Sequence, residues 1–137
     1  MYRILEQSAR ARLITPGYQE LPLIVTLRYD STDPLAVQIV FPREVSADGE
    51  AVTWAFCRTL LEEGLDSPTG IGEVHLWPCG PIHTVVELHS PHGLAVVRFR
   101  KAQLQRFLNR SYGIVAPGTE NLAPAVERGL TLLLGWV

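Results

Sequence analysis

A chain of 137 residues without a low-complexity tract is the size of one domain, expected here to span residues 1–137. With 47% hydrophobic and 19% charged residues it is globular in composition, which excludes an intrinsically disordered chain. A net charge of −2 argues against a protein whose whole surface neutralises phosphates, and no stretch approaches the ~20 apolar residues of a membrane span.

The first fifteen residues carry ionisable side chains and no apolar core segment, so no signal peptide is expected and the chain is placed in the cytoplasm. Ser8 to Leu13 alternates, with Ser8, Arg10 and Arg12 on one face and Ala9, Ala11 and Leu13 on the other, which predicts a half-buried strand. Pro16-Gly17 ends it. Leu21 to Tyr29 and Leu35 to Phe41 alternate in the same way, around the turn residues Asp30-Ser-Thr-Asp-Pro34, and predict a hairpin with Leu35, Val37, Ile39 and Phe41 on one side. A second turn at Ser46 to Gly49 leads to a strand on which Val52, Trp54 and Phe56 share a face.

Arg58 to Gly64 then reads as a short insert helix with Gly64 as its C′ residue, and Ser67 to Gly70 as loop. Glu73 to Trp77 and His83 to His89 form a further hairpin around Pro78-Cys-Gly-Pro81, and Leu94 to Phe99 is the last strand. Beyond it the period changes. Leu104, Phe107 and Leu108 recur at helical spacing, and a second helix begins at Thr119, with Leu122, Val126, Leu130 and Leu133 or Leu134 as its apolar stripe. The expected fold is α+β: an antiparallel sheet of six to seven strands with a short insert helix and two C-terminal helices.

Candidate chemistry is sparse. His75, His83, Glu87 and His89 fall on one face of the second hairpin, and two histidines with a carboxylate can ligate zinc or iron. His83 and Glu87, however, are four positions apart on one strand, ~13 Å by the rise per residue, so a solvated polar face is the better reading. Cys57 and Cys79 lie outside any C-x-x-C pair and are expected as reduced, part-buried thiols. Gly70-Ile-Gly72 precedes a strand, whereas a dinucleotide motif follows one. No catalytic residue, cofactor or metal is therefore expected, and the chain reads as a non-enzyme. Arg98, Arg100, Lys101 and Arg106 form a basic run that could track a nucleic-acid backbone, against the alternative of a solvated helix face. Trp54 and Trp77, with Leu134 and Trp136 in the apolar end of the chain, are expected as core or subunit-interface anchors. That apolar end is the reason to expect a homo-oligomer.

Three clusters carry a resemblance. They are Leu27-Arg-Tyr-Asp30 with Asp33-Pro34; Trp54, Phe56, Arg58, Leu60-Leu61, Glu63-Gly64-Leu65, Pro68-Thr-Gly70 and Trp77-Pro78; and Ser90-Pro91, Gly93 and Pro117-Gly-Thr-Glu120. Together they resemble the SsgA-like family of sporulation and cell-division regulators of actinomycetes. The resemblance implies a strongly bent sheet similar to the Whirly-type single-stranded-DNA-binding fold, assembled as a trimer. It implies a non-enzymatic regulator at the division septum that helps position septa by recruiting the tubulin-like GTPase FtsZ, alone or with a paralogous SsgA-like protein. The fold analogy supplies the alternative of a single-stranded nucleic-acid binder. Arg58, Glu62 and Glu63 of the insert helix are the expected partner-binding residues, on the premise that this helix is exposed.

Overall fold

The computed structural model describes residues 3–46, 49–91 and 93–120. Two antiparallel meanders, each followed by a helix, share one sheet. The first comprises β1 (Ile4–Ile14), β2 (Glu20–Asp30), β3 (Ala36–Phe41) and β4 (Val52–Cys57), and it leads directly into α1 (Arg58–Gly64). The second comprises β5 (Thr69–Ile71), β6 (Val74–Cys79), β7 (His83–Ser90) and β8 (Gly93–Arg100), and it leads into α2 (Lys101–Ile114). The spatial order is β4-β3-β2-β1-β8-β7-β6-β5, so the halves join only through β1 and β8. The β1–β2 ladder runs from Ile4↔Asp30 to Ile14↔Glu20, whereas the β1–β8 ladder spans only Ala11↔Phe99 to Ile14↔Val96. The sheet curls until its edges approach one another: Trp54 and Phe56 of β4 line the same cleft as Ile71 of β5 and Val74 of β6.

The alternation in the sequence explains which face is covered. Leu5, Ala9 and Ala11 of β1, Leu23, Val25, Leu27 and Tyr29 of β2, and Val97 and Phe99 of β8 are buried on the inner face. Helix α2 lies on that face through Leu104, Phe107 and Leu108. Its local signals are weak, because its first turn holds no acidic residue and Arg100 makes no side-chain cap. Packing therefore decides: each of those buried side chains contributes about 1.5–3 kcal/mol, more than a missing cap costs. Gln7 of β1 fastens the helix further, donating to the Gln103 carbonyl and accepting from Arg110.

The sheet has eight strands rather than six or seven, because Thr69–Ile71, whose first two residues were expected as loop, pairs with β6. Three residues are too few to show a period. Leu35 was expected on the inner face but is exposed, since the strand starts one residue later. Gly64 is not a left-handed cap. It ends α1 with its Cα against β6, where a Cβ would lie 2.5 Å from the Leu76 Cβ. The second C-terminal helix was expected to begin at Thr119; Thr119 and Glu120 are not helical, and the rest of that expected segment lies outside the described residues, as do the expected anchors Leu134 and Trp136.

Candidate functional site

The β4–α1 junction places Arg58 inside the molecule. Phe56 faces the core, and Arg58 follows it by two positions, so the inward line of the strand continues into the first residue of the helix. The backbone N–H of Arg58 donates to the Leu35 carbonyl at 2.6 Å. Its guanidinium lies 4.9 Å from the centroid of the Tyr29 ring and 5.0 Å from that of Tyr112. It donates to the Val115 carbonyl at 2.7 Å, to the Ser111 carbonyl at 3.3 Å, and to Glu120 Oε1 at 2.7 Å. The side chain is 3% exposed and that of Glu120 12%. A guanidinium with this many partners is satisfied internally. Arg58 is therefore no part of an exposed recognition surface, which corrects that expectation: it ties α1 to the chain that leaves α2. Glu62 and Glu63 are exposed, as expected, with Glu63 accepting from Thr69 Oγ1 at 3.2 Å.

The electrostatics follow from these contacts. Hydrogen bonding to Arg58, helped by backbone N–H donors, holds the Glu120 carboxyl below the usual range. Burial pushes the Tyr112 hydroxyl up to about 12, with the carboxylate of Glu62 adding to the effect. Burial likewise raises Tyr29, whose hydroxyl donates to the Pro34 carbonyl at 2.8 Å.

The outer face of the sheet carries the other concentration of charge. A groove of about 570 Å³ opens where the halves join, lined by Arg10 and Arg12 of β1, Pro22 and Ile24 of β2, His83 of β7, and Arg98 and Arg100 of β8. Arg12 and Arg98 are direct cross-strand partners. Glu20 sits between them, at 4.0 Å from Arg12 Nε and 2.5 Å from Arg98 Nη1. The basic run seen in the sequence is thus divided. Arg98 and Arg100 enter the groove, Lys101 turns to Asp66 at 3.5 Å, and Arg106 is exposed on α2. Arg10 and Arg12 were missed as members of the site. Their register opposite β8 is a long-range pairing with no local signal.

On the second hairpin His75, Glu87 and His89 come together: His89 Nε2 lies 2.5 Å from Glu87 Oε1, and the two imidazoles meet edge to face at 5.2 Å. His83 does not join them and lies opposite Arg100. Among the described residues no group of three or more His, Cys, Asp or Glu side chains is placed to hold a metal ion. Cys57 and Cys79 are free and exposed rather than part-buried. Trp54 packs partly buried against the core, and Trp77 is half-buried on the outer face beside Val85. Among the described residues no helix is long and apolar enough to cross a membrane.

The sequence model of the family described as Streptomyces sporulation and cell division protein, SsgA, matches residues 23–120. The chain belongs to the SsgA family. It is 44% identical over 133 residues to the sporulation-specific cell division protein SsgB of Salinispora tropica, covering 95% of this chain and 92% of that one. The crystal structure of an SsgA-like sporulation-specific cell division protein from Thermobifida fusca superposes with a TM-score of 0.78 at 30% identity, covering 98% of this chain and 96% of that one. A structure described for SsgB in longitudinal cell division during sporulation of Streptomyces coelicolor gives 0.77 at 36% identity, over 88% and 94% of the two chains. These relatives share the curled antiparallel sheet, and the family places the chain among sporulation and cell-division proteins.

Proposed function

We propose that this chain is a non-enzymatic adaptor of sporulation-specific division, acting in the cytoplasm at the septum, where it helps position the division plane by recruiting or regulating FtsZ. It works as a homo-oligomer, a trimer by its resemblance, alone or beside a paralogous SsgA-like protein. The observation that carries this reading is the similarity to sporulation-specific cell division proteins over nearly the whole chain. A match of that extent covers the core and the surface alike. The exposed Glu62 and Glu63 offer a contact on a short helix that Arg58 ties to the chain following α2.

Co-sedimentation with GTP-polymerised FtsZ from the same organism tests the proposal. Saturable pelleting that depends on polymer is the expected result, and Glu62→Lys with Glu63→Lys should weaken it. Absence of pelleting across the concentration range would overturn direct recruitment. Sedimentation equilibrium tests the oligomer, with a monomer at all concentrations as the contrary result.

A further inference from the structure

The arginine groove has features that the fold does not require. Like charges directly opposite across an antiparallel pair are unfavourable, yet Arg12 faces Arg98. Glu20 offsets that pair alone. One position beyond the last pair of the same ladder, Arg10 and Arg100 flank the groove, and among the described residues neither makes an ion pair. Four guanidiniums against one carboxylate thus concentrate positive charge on one face of a chain whose net charge is −2. The geometry is open because β8 ends at Arg100 and gives way to α2, so the two halves of the sheet splay beyond Ala11↔Phe99.

We propose that this groove docks an acidic, extended segment of the division partner, its carboxylates paired with Arg10, Arg12, Arg98 and Arg100 and an apolar side chain seated against Pro22 and Ile24. Guanidinium forks match carboxylates in pairs, which a lone cationic patch would not do. The wall supports a peptide over a nucleic acid. Single-stranded nucleic acids are held by stacking on exposed aromatic rings. Apart from the half-buried imidazole of His83, the one aromatic ring among the lining residues is Phe99, which is 1% exposed, whereas the aliphatic Ile24 is 61% exposed. The inference rests on the septal-adaptor reading and adds the chemistry of the partner's segment.

The test uses the full chain, its Arg10→Glu/Arg100→Glu variant, and two fluorescent probes: a peptide of repeated Glu-Glu-Leu and an oligothymidylate of equal charge. Both substituted side chains are surface groups without ion pairs, so melting temperature should be unchanged, and Arg10→Lys/Arg100→Lys should retain part of the binding. Expected are saturable, salt-sensitive anisotropy with the peptide, weaker binding of the oligonucleotide, and a loss of roughly tenfold or more in peptide affinity in the charge-reversed variant. That variant should also fail to pellet with FtsZ polymer. No peptide binding, equal binding by both proteins, or tighter binding of the oligonucleotide would overturn the proposal. Peptide binding lost with FtsZ pelleting retained would remove the groove from the partner interface and leave the septal reading intact. Peptide binding to a wild-type chain that never pellets would sink the septal reading while preserving the acidic-peptide groove.

Discussion

At Arg58 a single side chain links both helical segments to the sheet, through its contacts to Tyr29, Tyr112, the Val115 carbonyl and Glu120. Removing one member of such a pair leaves the other charge poorly solvated, so Arg58→Met should lower unfolding stability by roughly 3 kcal/mol in urea melts. Glu120→Gln keeps the shape and loses the charge, and should cost less, about 1–2 kcal/mol. The two titrations have opposite signs. Glu120 has a depressed pKa in the folded chain, so its contribution is complete above the unfolded value near 4.5 and fades as pH falls through the lower folded value. Tyr112 is raised, so its contribution is complete below pH 10 and fades as pH climbs through about 12. Alkaline absorbance titration should show late phenolates from Tyr112 and Tyr29, and Tyr112→Phe should remove the one near 12.

Gly64 shows the contest between local propensity and packing at the scale of an element. In an isolated helix alanine would be preferred to glycine by about 1 kcal/mol. Here the added methyl would sit 2.5 Å from the Leu76 Cβ, an atom fixed to β6 that no rotamer change can withdraw. Overpacking of this kind costs typically 1–3 kcal/mol, so Gly64→Ala should be net destabilising despite the gain in propensity. A thermal melt decides it, and a raised melting temperature would show that α1 can slide away from β6. The same principle explains why α2 was legible and β5 was not. Leu104, Phe107 and Leu108 announce a buried helical stripe, while Thr69-Gly-Ile71 becomes a strand only because β6 is beside it.

Across the whole molecule, Phe107 stands where α1, α2 and both meanders meet, beside Phe56, Leu61 and Val86 around a void of only about 10 Å³. The two halves therefore share one core. Phe107→Ala should cost about 3–5 kcal/mol and leave a single unfolding transition seen alike by far-UV and near-UV circular dichroism. Two separate transitions would mean that the meanders fold independently.

The alternation of Leu23, Val25, Leu27 and Tyr29, or of Val37, Ile39 and Phe41, was enough to give strands, their buried faces and the antiparallel class, because a period of two admits one pleated arrangement with one apolar side. The sequence clusters also pointed to the SsgA family. Arg58 was misplaced because charge suggests solvent, and the hydrogen-bond acceptors that make its burial tolerable lie 53 to 62 residues further along the chain. Arg10 and Arg100 looked unrelated for the same reason. A sequence determines what each strand would bury, since that depends on neighbours within a few residues. Which strand lies beside which is decided when the halves join through β1 and β8, and that pairing created both the inner clamp and the outer groove.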